Sequence, residues 1–229
     1  MLKSVFWDTT IMAISCSLVL PLAAQTDFAL VDAYAGRLKI RGNDIEQLTD
    51  TLTAPFSTEL EKARAIFVWI GQNIAYDCGS ENRLEQEPRE AIEPLYYTQI
   101  QLENILKTRR TRCDGYAFMF KLMCRLSGIY CTVQEGFARF AGEKVDPATV
   151  KPNHAWNAAC LDGEWYEIDV GAGSGGCDGR RFRARRDEAY FRMSPALLER
   201  QYIPIDDHRH SNNQGRIILK LKPNTNWPP

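Results

Sequence analysis

The clearest buried element in the pattern of hydrophobic and polar positions is a helix that we predict over residues 111–124. Four side chains recur on one of its faces: Cys113, Ala117, Phe120 and Cys124. Its polar residues form a stripe narrower than a third of the circumference: Asp114, Lys121 and Arg125. Because a surface helix shows a polar half, this pattern predicts a central helix that is open to solvent near its N-terminal end.

Helical spacing of apolar residues predicts further helices over 27–38, 43–52, 57–74, 98–107 and 194–200. Asn43 is the expected N-cap of the second helix, and Thr58 with Glu61 forms a capping box for the third. In the fourth we expect Ile100, Ile105 and Leu106 to point inward. The charged stretch 78–93 reads as an exposed loop.

After Gly128 the apolar pattern changes to period two, which predicts strands. We expect them over 129–140, 154–161, 164–170 and 216–222, with polar or glycine-rich loops over 141–153 and 171–176. Asp162-Gly163 is the sequence typical of a two-residue type I′ turn, so the second and third strands form a hairpin.

The composition suits one globular domain, since 45% of the 229 residues are hydrophobic and 25% are charged. The net charge of −1 gives no reason to expect a nucleic acid partner, and we predict none. The run Arg180, Arg181, Arg183, Arg185 and Arg186 is more typical of a solvated surface than of a site, although it would suit an acidic partner.

The first residues are typical of a secretory signal peptide, which we expect over 1–24. Lys3 precedes an apolar run, and Leu22-Ala23-Ala24 offers small residues for cleavage. No later segment could cross a bilayer, so we expect a secreted or periplasmic protein without stable membrane insertion after cleavage. The remaining chain divides into a helical segment over 25–56 and a domain over 57–229.

Removal of Cys16 with the signal would leave six of the seven cysteines. If Cys113 is free, the odd remainder requires a second free thiol, and the sequence does not fix any pairing. The cysteines lack the close pairs of a zinc site, and His208 and His210 beside Asp206 and Asp207 are weak grounds for metal binding. We therefore predict no metal site.

The hairpin gives a geometric test for a catalytic group. If Leu161 pairs with Glu164, then Trp156 lies opposite Asp169, and Asp169 becomes the diagonal neighbour of His154 on the same face. Diagonal neighbours are roughly 7–8 Å apart along the backbone, which an imidazole and a carboxylate can bridge by a hydrogen bond.

Cys113 lies at a helix N-terminus, where the helix dipole and Arg110 and Arg112 favour a thiolate. A cysteine at that position, followed by a histidine and an acid on paired strands, is what nucleophilic thiol catalysis requires. We predict that Cys113 attacks a carbonyl, His154 transfers the proton, and Asp169 orients the imidazole. The alternative for the cysteine alone is a small buried core residue.

Three segments of the chain carry a family resemblance: Arg112-Cys113-Asp114-Gly115-Tyr116-Ala117, His154-Ala155-Trp156-Asn157 and 162–169, which ends in Trp165-Tyr166-Glu167-Ile168-Asp169. They resemble the transglutaminase-like superfamily, nearest to its kyphoscoliosis-peptidase and cytokinesis-protein branch. The likeness runs from about Glu59 to about Pro204. It implies an α+β, papain-like fold in which N-terminal helices and a central Cys-bearing helix pack on an antiparallel β-sheet.

The resemblance also implies a Cys113-His154-Asp169 triad that acts on a peptide or protein amide, either hydrolysing it or transferring the acyl group to an amine. No metal or organic cofactor is implied. Two features depart from the family: Val170-Gly171-Ala172-Gly173 lacks the tryptophan that often follows the acid, and Arg110-Thr111-Arg112 replaces a glycine-containing approach to the cysteine. Both bear on substrate preference.

Three questions stay open from sequence. The Cys113 N–H is a natural oxyanion donor, whereas the second donor is open among Tyr97, Gln99 and Trp156. The oligomeric state is not determined. The alternative function is a catalytically inactive transglutaminase-like module that binds a protein or cell-wall partner through the same fold.

Overall fold

A computed structural model of the chain describes residues 27–40, 42–79, 99–140, 145–147, 152–205, 209–211 and 217–219. These residues form helices packed against an antiparallel sheet, which confirms the expected α+β class. The signal-peptide prediction and most of the predicted loops 78–93 and 141–153 lie outside the described residues. Within them, no helix combines the length and the apolar character that a bilayer span needs.

The first two helices are α1 (Ala29–Arg37) and α2 (Ile45–Thr53). The predicted cap of α2 was wrong by one residue, because Asp44 rather than Asn43 accepts a hydrogen bond from the Gln47 N–H. Both side chains are suitable caps, and the residue that directly precedes the first helical turn is the one that takes the role.

Helix α3 (Glu59–Asn73) has the predicted capping box between Thr58 and Glu61. The middle of this helix is buried around its whole circumference, because every residue from 63 to 70 is buried. Buried Arg64 is held by Asp32 and Glu188. Helix α3 is therefore a second central element.

Helix α4 (Gln99–Thr108) begins and ends within one residue of its prediction. Ile105 and Leu106 are buried as expected, but Ile100 is 72% exposed and Leu102 is 2% exposed. The inward assignment of Ile100 was therefore wrong. Leu102, three and four positions before Ile105 and Leu106, completes the buried stripe of this helix.

The central helix α5 (Cys113–Leu126) packs on α3 and on the sheet. Before it, β1 (Ala75–Tyr76) pairs in parallel with β2 (Arg110–Thr111). A Cβ added at Gly115 would lie 1.9 Å from Thr111 Oγ1. Glycine at this position is thus what allows the first turn of α5, including Cys113, to lie against β2.

The main sheet contains β3 (Cys131–Ala138), β4 (His154–Leu161), β5 (Glu164–Ile168) and β8 (Tyr202–Pro204), in the order β5-β4-β3-β8. The predicted register is confirmed, because Leu161 pairs with Glu164 and Asn157 with Ile168. Asp162 and Gly163 both have positive φ, 52° and 86°, as a type I′ turn requires.

The glycine-rich segment after β5 was predicted to be a loop, and this was wrong. Asp169 caps a short helix, α6 (Val170–Ser174), which is followed by the hairpin β6 (Gly175–Asp178) and β7 (Arg181–Ala184). A Cβ at Gly173 would lie 2.6 Å from Phe67 Cζ. The glycines therefore permit close packing on α3, and they do not indicate an open loop.

The chain continues through the 3₁₀ turn Glu188–Tyr190 to helix α7 (Pro195–Gln201), and Ser194 is the N-cap of this helix. Helix α7 begins and ends one residue after the helix predicted over 194–200. Two short strands, β9 (Arg209–Ser211) and β10 (Ile217–Leu219), pair after β8. The second of them lies within the strand predicted over 216–222.

Cys78 and Cys177 form a disulfide across a sequence separation of 99 positions. Among the residues that the structure describes, Cys113, Cys124, Cys131 and Cys160 are free thiols. The sequence predicted at least one free thiol besides Cys113, and the described residues include three: Cys124, Cys131 and Cys160.

Candidate active site

The Cys113 thiol lies at the first residue of α5, with Arg112 as the N-cap. The residue is 5% exposed, so the sulfur is largely enclosed. Burial raises the pKa of the thiol, but the hydrogen bond to His154 and the positive charge of the imidazolium outweigh it, and the Ala155 backbone N–H adds to them. The net pKa lies below the ordinary 9.0, which favours a thiolate.

His154 begins β4 and hydrogen bonds to Asp169, with Nε2 and Oδ2 2.5 Å apart. Asp169 is 1% exposed, and its other oxygen, Oδ1, accepts from the Ala172 N–H at 2.9 Å. Burial lowers the pKa of His154, but the negative charge of Asp169 and the contact with Cys113 raise it overall to about 10. Since Nε2 faces Asp169, Nδ1 is left to face Cys113.

The three residues that the sequence singled out are therefore brought together, in the order thiol, imidazole and carboxylate. The strand register brings His154 and Asp169 near each other, and they meet where Asp169 leaves the ladder to cap α6. Cys113 reaches them because α5 packs along β4, where Asn157 Nδ2 donates to the Ala117 carbonyl at 2.9 Å. The arrangement can hold a thiolate beside an imidazolium, which is the resting state of an activated thiol nucleophile.

Sequence reasoning missed a fourth member of this cluster, Tyr202. Its hydroxyl donates to Asp169 Oδ2 at 2.8 Å, and the residue is 2% exposed. Its ring packs against Trp156, with 5.0 Å between ring centroids. Tyr202 lies in the three-residue strand β8, and no local sequence pattern marks it.

Of the three candidate second oxyanion donors, Trp156 is excluded. Its Nε1–H donates to Glu167 Oε2 at 2.6 Å inside the protein, so this donor is already used. The side chains of Tyr97 and Gln99 lie outside the described residues. The Cys113 N–H remains a suitable first donor, because the first N–H groups of a helix have no partner within it.

The arginine run 180–186 is partly neutralised in the fold. Arg183 pairs with Asp178 at 3.1 Å, and Arg186 pairs with Asp32 and Glu188. Such pairing is consistent with an ordinary solvated surface. Within the ranges that the structure covers, no group of three or more His, Cys, Asp or Glu side chains is placed to hold a metal ion.

The site can be compared with known proteins. The model of the transglutaminase-like superfamily core matches residues 46–170, which include Cys113, His154 and Asp169. The chain belongs to the transglutaminase-like superfamily. This superfamily includes cysteine peptidases and acyltransferases.

Two relatives support the branch that the sequence motifs indicated. Human kyphoscoliosis peptidase is 32% identical over 194 residues, which are 83% of this chain and 27% of that protein. Cytokinesis protein 3 of Saccharomyces cerevisiae is 26% identical over 166 residues, 67% of this chain and 17% of that protein. The chain thus spans about a quarter or less of the length of these curated relatives.

Among solved structures, the crystal structure of a TGase matches 62% of this chain and 32% of its own, with 16% identity and a TM-score of 0.39. A score of this size indicates only a distant likeness. The two departures from the family pattern have these places in the fold: Val170 is buried at the start of α6, and Arg112 occupies the N-cap position of the cysteine helix without a side-chain capping hydrogen bond.

Proposed function

We propose that the protein is an extracytoplasmic cysteine-nucleophile enzyme that acts on peptide or protein amide bonds through Cys113, His154 and Asp169. The observation that carries the proposal is the series of contacts from the Cys113 thiol through His154 to Asp169. All three residues are buried near the N-terminal end of α5. A lowered thiol pKa and a raised imidazole pKa in one contact pair are what such chemistry needs.

The reaction follows from the positions of these groups. The Cys113 thiolate attacks the amide carbonyl carbon, and the Cys113 N–H donates to the oxyanion that develops. The His154 imidazolium gives its proton to the leaving amine, the C–N bond breaks, and a thioester forms. His154 then takes a proton from water or from an acceptor amine, which attacks the thioester and releases Cys113. Water gives hydrolysis, and an amine gives acyl transfer.

Asp169 has the role of orienting and stabilising the imidazolium without taking its proton. Its Oδ1 is held by the Ala172 N–H at the start of α6, so the carboxylate is fixed by the backbone as well as by His154. The steps therefore involve groups of this chain, the substrate amide, and the water or amine that attacks the thioester.

The extracytoplasmic setting is supported by the Cys78–Cys177 disulfide, since such bonds persist in oxidising compartments. It agrees with the signal peptide expected over 1–24. Cleavage before Gln25 in the secreted protein, read by N-terminal sequencing, tests this part of the proposal. A mature chain that keeps Met1 in the cytosol would oppose it.

The direct test of the site is the rate of iodoacetamide labelling at Cys113, located by mass spectrometry, between about pH 5 and pH 9. We expect rapid labelling at neutral pH that slows in His154→Ala. Cys160 is an internal control in the same digest, because it is half-buried and burial raises the pKa of its thiol. Labelling of Cys113 that rises only with that of Cys160 would favour the inactive binding module.

A positive labelling result leads to the choice between hydrolysis and transfer. Glutamine-containing peptides with and without a primary amine separate them, because incorporation of the amine marks acyl transfer and a new peptide terminus marks proteolysis. Cys113→Ala is the control that should abolish either product. Products that persist in Cys113→Ala would exclude the thioester route.

A further inference from the structure

The Asp169 carboxylate accepts two side-chain hydrogen bonds on the same oxygen. His154 Nε2 lies 2.5 Å and the Tyr202 hydroxyl 2.8 Å from Oδ2. Oδ1 is occupied by the Ala172 N–H at 2.9 Å. Three donors from three different elements, β4, β8 and α6, therefore surround one buried carboxylate.

Tyr202 is held rigidly where it makes this contact. Its backbone pairs with Ala138 of β3, and its ring lies 5.0 Å from the Trp156 ring and 6.0 Å from the His154 ring. The Phe140 ring stands edge-on to both His154 and Tyr202. The hydroxyl is thus presented by a packed aromatic cluster, and little rotamer entropy is lost when it donates.

The hydroxyl remains a donor across the working pH range. Burial and the negative charge of Asp169 raise the pKa of Tyr202 far above its ordinary value of 10.0. A neutral hydroxyl has one proton, and the contact with Oδ2 uses it.

We propose that Tyr202 is a positioning residue for the candidate triad, and that its hydroxyl fixes the Asp169 carboxylate against the imidazole of His154. The proposal rests on the proposed function for its catalytic consequence. Without the hydroxyl, Oδ2 keeps only its bond to His154, and the Ala172 N–H is then the one donor besides the imidazole that holds the carboxylate in this orientation. A less fixed carboxylate stabilises the imidazolium less.

Tyr202→Phe tests the proposal, because it removes the hydroxyl and keeps the ring with its aromatic contacts. Tyr190→Phe is the matched control: Tyr190 packs in the same cluster, but its hydroxyl donates to Gln201 Oε1 at 3.1 Å. The readouts are the titration of the His154 imidazole by NMR, the rate of Cys113 alkylation at neutral pH, and the melting temperature.

In Tyr202→Phe we expect the His154 pKa to fall by up to about one unit, because a carboxylate that is held less firmly against the imidazole stabilises the imidazolium less. The alkylation rate of Cys113 should fall by up to about tenfold. With a turned-over peptide, kcat should fall while KM is retained. Tyr190→Phe should leave His154 and Cys113 as in the wild type.

The NMR readout requires that the other titrating groups around the imidazole be the same in both variants. The groups that act on His154 are Cys113 on α5 and Asp169 after β5, whereas Glu167 on β5 and Tyr190 beside α7 act on the Tyr202 hydroxyl. Neither Tyr202→Phe nor Tyr190→Phe alters Cys113 or Asp169.

A folded Tyr202→Phe protein with the wild-type His154 titration and the wild-type alkylation rate overturns the proposal, even if its melting temperature is lower, because the hydroxyl would then contribute to packing alone. Failure of the proposed function is a separate result. If wild-type Cys113 reacts as an ordinary thiol, the His154 titration still decides whether Tyr202 sets the imidazole–carboxylate pair.

Discussion

The His154 imidazole and the Asp169 carboxylate are joined at 2.5 Å between Nε2 and Oδ2, beyond the end of the hairpin ladder. The ladder ends at the pair Asn157 and Ile168, so Asp169 directly follows it and His154 precedes Asn157 by three positions. The bond forms where the strands diverge and Asp169 turns to cap α6. One side chain thus caps a helix with Oδ1 and orients an imidazole with Oδ2. Replacing the Asp169 side chain should therefore disturb both the cap of α6 and the orientation of the His154 imidazole.

Asp169→Asn should lower the pKa of His154 from about 10, because the negative charge of Asp169 raises it and the contact with Cys113 is then left to oppose the lowering effect of burial. A neutral imidazole no longer stabilises the Cys113 thiolate. We expect kcat/KM to fall by roughly 10³- to 10⁴-fold, as when the acid of a serine protease triad is replaced by its amide.

The measurement is turnover of the best peptide or, without one, Cys113 alkylation at neutral pH, where a smaller decrease is expected. Glu167→Gln is the control, since Glu167 is also buried on β5 but accepts from Trp156. Wild-type reactivity in Asp169→Asn would contradict the assignment of Asp169.

The thiol–imidazole pair should give a distinctive pH dependence of the free energy of unfolding. The folded pKa of His154, about 10, is above its unfolded value of 6.5, and the folded pKa of Cys113 is below its unfolded value of 9.0. In the pH range below 9.0 but above both 6.5 and the lowered pKa of Cys113, the Cys113–His154 pair therefore holds one proton in the folded and in the unfolded state. The folded protein holds this proton on His154, and the unfolded chain holds it on the thiol. The pair adds no slope there.

From pH 9.0 to about 10 the unfolded thiol is deprotonated while folded His154 keeps its proton, so stability falls as pH rises. In Cys113→Ala the thiol is absent, and the decrease should begin already at about pH 6.5 with a slope of up to roughly 1.4 kcal/mol per pH unit. Urea unfolding at several pH values measures the difference. Parallel profiles for the two proteins would mean that no proton is shared between Cys113 and His154.

Gly115→Ala should displace the first turn of the cysteine helix, because its Cβ would lie 1.9 Å from Thr111 Oγ1 and 3.0 Å from Ile105 Cδ1. We expect a loss of about 1–3 kcal/mol in the free energy of unfolding, typical of overpacking, and slower labelling of Cys113. Adding Thr111→Ala should recover part of both.

Gly176→Ala provides the comparison for this substitution, since nothing lies within 4 Å of a Cβ built there. It should change neither the unfolding free energy nor the labelling rate by a measurable amount. If Gly115→Ala behaved in the same way, the close approach of α5 to β2 would not position Cys113.

The Cys78–Cys177 disulfide links a segment next to the nucleophile Cys113 with a segment next to the acid Asp169. Cys78 follows β1, whose Tyr76 pairs with Thr111 just before Cys113, and Cys177 lies on β6, just after the helix that Asp169 caps. Replacing both cysteines by serine should cost about 4–5 kcal/mol in the free energy of unfolding, as chain entropy predicts for a closed loop of this size.

Reductant should produce the same shift in the wild type, because Cys177 is exposed, and should not affect the double variant. Cys160→Ser, which removes a free thiol, is the control. Thermal unfolding with and without reductant gives the comparison. Equal melting temperatures in the wild type under both conditions would show that the bond is not formed.

Several features were determined by the sequence alone, because they depend on residues close together in the chain. The Thr58–Glu61 box fixes the start of α3, and Asp162-Gly163 fixes the hairpin turn and with it the pairing of Leu161 with Glu164. Since strand pairing has period two, that single turn also determines that His154 and Asp169 share a face. The cysteine helix followed from its nearly continuous apolar surface.

Other features were decided only by the tertiary structure, because they join residues that are distant in sequence. Tyr202 reaches Asp169 across 33 positions, and Cys78 reaches Cys177 across 99. The segment after Asp169 forms a buried helix in which Gly173 lies against Phe67 of α3 and Gly171 lies against Tyr116 of α5. Trp156 is excluded as an oxyanion donor only by its bond to Glu167. Local patterns indicate which groups are present and which face they occupy, whereas packing between elements decides which partners they meet.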